Sequence, residues 1–184
     1  YFDYTEQFTG KRGLLFARYG GYGCNRYPVG FSGDTFAEWG VLGYEVDFTS
    51  RAANVLYPYW SHDIGGFNGD RLPTDLYVRW LQFGAFSPVL RLHSNHGIRE
   101  PWEYGHEGTA AAQTYFRLRY QLLPYIYSNA RRVHETGEPL CRPLYLDWPE
   151  EEEAYRRDDE YLFGEAILVA PVVEPAPEGQ PARR

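Results

Sequence analysis

Three times in succession a short apolar run leads into a polar or glycine-rich loop and then into residues spaced as one face of a helix. Parallel strands cannot be joined by tight turns; they need crossovers of a dozen residues or more, usually helical, so this repeat predicts a parallel sheet with its helices outside. The first run is Arg12 to Arg18, followed by a loop from Gly20 to Gly33. Asp34-Thr35 then reads as the cap of a helix with Phe36, Ala37, Trp39, Leu42, Tyr44 and Val46 on its apolar face. The second run, Val55 to Ser61, precedes a glycine-rich loop and a helix with Pro73 at its first position and Leu76, Trp80, Phe83 and Phe86 facing inward. The third, Val89 to His93, leads through a polar loop over Asn95 to Gly108 into a long helix from about Thr109 to Glu135. Pro124 should kink that helix and Gly137 should end it. The repeat alone does not separate a barrel from an open doubly wound sheet.

From Cys141 the texture changes. Strand-like runs over Arg142 to Leu146 and Ala166 to Val173 flank an acidic stretch from Asp147 to Glu160, which reads as a solvated loop. A domain boundary is therefore expected near Pro139, with residues 1–139 as the α/β domain and 140–184 as the start of a β domain. The Pro- and Ala-rich tail from Glu174 is expected to fray.

A net charge of -7 argues against nucleic acid or an anionic membrane as partner, since both favour a basic face. Seventeen Tyr and five Trp, scattered without a period, suit sugar faces and protein cores equally well. Two distant cysteines, Cys24 and Cys141, fit neither a metal spacing nor a disulfide framework. No apolar run is long enough to cross a membrane, and no signal peptide is visible at the start. The chain opens on Tyr1 and contains no Met, so it reads as a piece of a longer protein; a cytoplasmic location is compatible with it.

Each predicted strand delivers polar residues to the side from which its loop emerges: Arg18 from the first, His62 and Asp63 from the second, Arg91 and His93 from the third. In a parallel barrel those ends share one pocket, and Asp34 would lean over it. Carboxylates accept from sugar hydroxyls while Arg and His donate to them, so the set suits a neutral polyhydroxylated ligand. Each residue has a plainer reading as well. Asp34 can be a helix cap, Asp63 an Asx turn before Gly65-Gly66, His93 a satisfied core histidine, and Arg18 and Arg91 structural ion-pair partners. His93 and His96 with His62 and Asp63 also admit a metal-dependent hydrolase, and a barrel piece that binds sugar without catalysis is a third possibility.

Taken together, Arg18, Gly30-Phe31-Ser32-Gly33-Asp34-Thr35, Trp60-Ser61-His62-Asp63-Ile64-Gly65-Gly66-Phe67, Arg79-Trp80 and Arg91-Leu92-His93 closely resemble glycoside hydrolase family 31. Arg142-Pro143-Leu144 and Phe163 to Val172 resemble that family's passage into its C-terminal domain. The resemblance implies the C-terminal half of a (β/α)8 TIM barrel followed by the beginning of a β-sandwich, in a retaining α-glycosidase of the α-glucosidase or α-xylosidase type. Carried over by position, it implies Asp34 as general acid/base, Arg18, Asp63, His93, Phe67, Phe31 and Trp60 as substrate-binding residues, and Arg91 as a support for the carboxylates. It implies an oligosaccharide or α-glycoside partner, no cofactor and no metal. Many members carry Trp where this chain has Phe31. The family's nucleophilic Asp stands on an earlier strand, and none of the acids near Tyr1 fits its motif, so the chain is expected to need the upstream half of the barrel. Which sugar is bound, and how many copies assemble, cannot be read from these residues.

Overall fold

The computed structural model describes residues 1–18, 20–27 and 29–177; the last part of the predicted tail, 178–184, lies outside them. A first helix, α1 (Phe2–Thr9), buries none of its residues. Behind it a row of parallel segments begins. Ala17 bridges Gly30, strand β1 (Gly30–Phe31) pairs with β2 (Trp60–Ser61), and Ile64, just past β2, bridges Leu92. Because all these pairings are parallel, the C-terminal ends of four segments emerge on the same side.

Helices α2 (Trp39–Arg51) and α3 (Thr74–Ala85) make the crossovers between neighbouring segments, as the periodicity predicts. They are followed by α4 (Gly105–Gln121) and α5 (Leu123–Thr136). One core joins them: Leu42 and Val46 of α2, Ile64, and Leu76, Tyr77, Trp80, Leu81 and Phe83 of α3 are all essentially inaccessible. At roughly 1.5–3 kcal/mol for each large apolar side chain, this cluster is the main force holding helices to strands. The antiparallel strands β3 (Cys141–Arg142), β4 (Tyr161–Phe163) and β5 (Ile167–Val169) join the same core through Tyr161 and Phe163. The Tyr161 hydroxyl donates to the Phe86 carbonyl at 2.9 Å, tying this sheet to the end of α3.

Several boundaries differ from those expected. The loop over Gly20 to Gly33 contains a strand of its own, β1, so Asp34 follows that strand rather than the run that ends at Arg18. The strand is hard to see because it is two residues long and one of them is glycine. Glycine is required there: a Cβ on Gly30 would stand 2.4 Å from the Trp60 ring. Helix α2 starts at Trp39, with Glu38 as its cap residue, because a bridge between Phe36 and Asn68 keeps the preceding residues extended. Asp34 is therefore no helix cap. On α2 the inward face also differs: Tyr44 is 52% exposed, while Glu45 is fully buried beside Leu42 and Val46. Pro73 caps α3 from outside instead of opening it. The long helix breaks in two at Leu122, just before Pro124, and ends as expected at Gly137 in the left-handed region. Leu144–Leu146, expected in a strand, forms a 3-10 turn instead.

Candidate active site at the strand ends

Arg18 follows the segment that bridges β1, and its guanidinium donates to Asp34 Oδ1. Both side chains remain about two-fifths exposed, so the Asp34 carboxylate is reachable from solvent. Its loop is held by the backbone. Asn68 Nδ2 donates to the Asp34 carbonyl at 2.9 Å, and the amides of Phe67 and Asn68 both donate to the Thr35 carbonyl.

Asp63 is the opposite case. Its side chain is wholly inaccessible, Oδ1 accepts from Arg91 Nη2, and Oδ2 is buried with no hydrogen-bond partner among the described residues. Burial pushes its carboxyl up to about 6; Arg91 and, more weakly, Arg18 pull it down, and the charge of Asp34 adds to the rise. An Asx turn is not what Asp63 makes, since its side-chain oxygen is given to an arginine. Arg91 is itself held between two rings, 4.9 Å from the Phe16 centroid and 5.0 Å from that of Phe31. Such cation–π contacts are worth about 0.5–2 kcal/mol each, depending on how desolvated they are, and they fix the direction from which Arg91 meets Asp63. Phe31 thus supports two guanidiniums, since Arg18 also lies 6.0 Å from its ring.

His93 is exposed at the end of the next segment and stacks on Phe67, with ring centroids 5.3 Å apart. Its imidazole is held below the usual range by partial burial and by Arg91. The core-histidine reading therefore fits His62, not His93. His62 is fully buried, accepts at Nδ1 from Trp80 Nε1 (3.2 Å), meets Ser87 Oγ with Nε2 (2.9 Å) and stacks on Phe83. Burial, helped by Arg91, lowers it to about 3, so it is a neutral structural residue with both nitrogens engaged. The metal reading, which rests on His93 and His96, loses one of its added ligands on that ground. Among the described residues no three His, Cys, Asp or Glu side chains stand as a metal would need them.

Arg18, Phe31, Asp34, Asp63, Phe67, Arg91 and His93 are thus brought together. Trp60 is not. Its ring packs edge-on against Phe48 of α2 (5.2 Å) and Tyr57 (5.1 Å), on the helix side of β2. Two buried charged residues have no place in the sequence reading. Glu45 carries an acid into the inward face of α2, beneath Ser32 and Thr35, and burial pushes it up to about 7, with the charge of Asp63 adding to the rise. Its spacing three residues after Leu42 and four before Thr49 was the available signal. The second is Arg99, which is 3% exposed and has no such periodic context.

Comparison with known proteins adds three findings. Residues 1–129 match the model of the glycosyl hydrolases family 31 TIM-barrel domain, and residues 137–183 match that of the family 31 C-terminal domain. "Alpha-glucosidase 2" of Bacillus thermoamyloliquefaciens is 36% identical over 170 residues, or 91% of this chain and 22% of that protein. An alpha-xylosidase of Saccharolobus solfataricus is 33% identical over 180 residues, covering 95% and 25% respectively. The chain therefore spans about a quarter of the curated relatives it matches. Among solved structures, a soil-metagenome α-xylosidase complexed with xylose superposes with a TM-score of 0.86 at 32% identity, covering 95% of this chain and 29% of that one. A Flavobacterium johnsoniae dextranase complexed with isomaltotriose gives 0.86 at 36% identity, with 96% and 23% covered.

Proposed function

This chain belongs to glycosyl hydrolase family 31, and from that premise we propose that it supplies the C-terminal half of a (β/α)8 barrel and the start of a C-terminal β-sandwich to a retaining α-glycosidase. The substrate is an oligosaccharide or other α-glycoside of the kind named for its relatives. Asp34 is the general acid/base, and the nucleophilic carboxylate comes from the upstream half of the barrel.

The observation that carries this division of labour is the contrast between the two aspartates: Asp34 is open at the mouth, while Asp63 is buried, with one oxygen given to Arg91 and the other without a partner among the described residues. A proton donor must reach a glycosidic oxygen that arrives from solvent. A carboxylate with no accessible surface cannot meet that oxygen and serves instead to anchor Arg91. The upstream carboxylate attacks the anomeric carbon as Asp34 gives its proton to the departing oxygen, leaving a glycosyl ester and a free leaving-group alcohol. Asp34, now a carboxylate, takes a proton from water as the water oxygen displaces the ester, and the sugar leaves with its original configuration. Asp63 lies sealed beneath the strand ends and holds Arg91 through Oδ1; His93, exposed at the end of its segment, meets a sugar hydroxyl, and Phe67 offers its ring to the sugar face. The chemistry calls for two carboxylates and water, with no metal or cofactor.

Turnover of an aryl α-glycoside tests the arrangement. The 184-residue chain alone is expected to be inactive, and the barrel completed with its upstream half active. Turnover by the chain alone contradicts the assignment of the nucleophile to upstream residues.

A further inference from the structure

The loop that follows Asp63 turns four backbone carbonyls toward one side chain. Arg99 Nε donates to the carbonyls of Gly65 (3.1 Å) and Gly66 (3.3 Å), Nη1 to that of Asp70 (2.8 Å), and Nη2 to those of Gly66 (3.2 Å) and Gly69 (3.1 Å). A guanidinium has five N–H donors in a rigid fork, and here nearly all are spent on a single loop. The slot is cut to this side chain. A Cβ at Gly65, whose φ is +87°, would stand 2.8 Å from Arg99 Cδ, and one at Gly97 only 2.2 Å from Arg99 Nη1.

The arginine is anchored in turn. The Tyr77 hydroxyl donates to the Arg99 carbonyl at 2.8 Å and the Tyr104 hydroxyl to the Ile98 carbonyl at 3.0 Å. Those two tyrosines stack face to face, 3.8 Å apart, in the core between α3 and α4. A rigid path therefore runs from the core through Arg99 to the loop. Within the loop the Phe67 amide donates to the Thr35 carbonyl, which ties in the residues around Asp34.

Resting on the family reading given above, we propose that Arg99 is a positioning residue of the sugar subsite: it sets loop 65–70, and through it Asp63 and Phe67, without touching substrate. Lysine would keep the charge but present a point donor that cannot span four carbonyls. In the 184-residue chain, amide hydrogen exchange over residues 65–70 is expected to be about tenfold faster in Arg99→Lys, with α3 and α4 unchanged. In the completed barrel, Arg99→Lys and Arg99→Met are expected to lower kcat/KM by about 100-fold, mostly through KM. Added guanidinium should recover part of the Arg99→Met loss.

A residue that merely supports folding would lower the active fraction, so kcat would fall at unchanged KM; that pattern overturns the proposal. Unchanged exchange over 65–70 in Arg99→Lys overturns it as well. A completed parent barrel with no glycosidase activity counts against the functional reading instead, and the exchange measurement then decides whether Arg99 sets the loop.

Discussion

Replacing Asp34 by Ala in the completed barrel is expected to slow hydrolysis of an α-glycoside with a poor leaving group by about 10²–10⁴. The loss should shrink for an aryl glycoside whose phenol leaves readily, because departure then needs little protonation. Deglycosylation would stay slow, since water still lacks its base, and azide should restore it: a nucleophile that needs no deprotonation bypasses the missing carboxylate and leaves as the α-glycosyl azide. The fold has little reason to respond. The side chain is 38% exposed, and the loop is held through the Asp34 and Thr35 carbonyls, which the substitution leaves in place. An equal loss across leaving groups, with no response to azide, contradicts the acid/base role.

Between about pH 4.5 and about pH 7 the Glu45 contribution to stability is expected to be lost, while His62, lowered to about 3 by burial, acts in the opposite direction over the same range. The folded Glu45 carboxyl is raised from 4.5 to about 7, chiefly by burial, so the folded chain keeps a proton there that the unfolded chain releases. The contribution is complete below the unfolded value and is lost as the pH passes through the folded one. The shift corresponds to on the order of 3 kcal/mol. Asp63, raised from 3.8 to about 6, acts in the same direction, so the comparison must be with Glu45→Gln, which keeps the shape of the neutral acid and cannot ionise. Thermal unfolding of parent and variant across this range should diverge, the parent becoming the less stable above neutrality. Parallel curves would mean that Glu45 is not held neutral.

How far the site could be read from the sequence depended on the range of the interactions involved. Arg18, Asp63 and His93 stand at strand ends, and alternating runs and loops are local signals, so these three could be placed; Asp34 was legible only as a loop residue before a helix pattern. The strand that carries Asp34 was hidden in a glycine-rich stretch, because its pairing partner, and the ring that demands glycine at position 30, lie thirty positions away. The face of α2 was misjudged by one residue for a similar reason. Apolarity favoured Tyr44, but the structure buries Glu45 beneath Ser32 and Thr35 of another segment. Trp60 has the right chemistry for a sugar and the wrong side of the strand, which only the neighbours Phe48 and Tyr57 decide. Gly137, by contrast, ends α5 where its sequence context places it, since a left-handed cap is a property of the residue itself.

The central claim is that the chain holds the acid/base carboxylate and the sugar subsite while the nucleophile lies upstream. Trapping the glycosyl ester in the completed barrel with a mechanism-based fluoroglycoside, followed by mass mapping of peptides, tests it most directly. The expected result is one added glycosyl unit on an upstream carboxylate and none anywhere in residues 1–184. An adduct on Asp34 or Asp63 would contradict it.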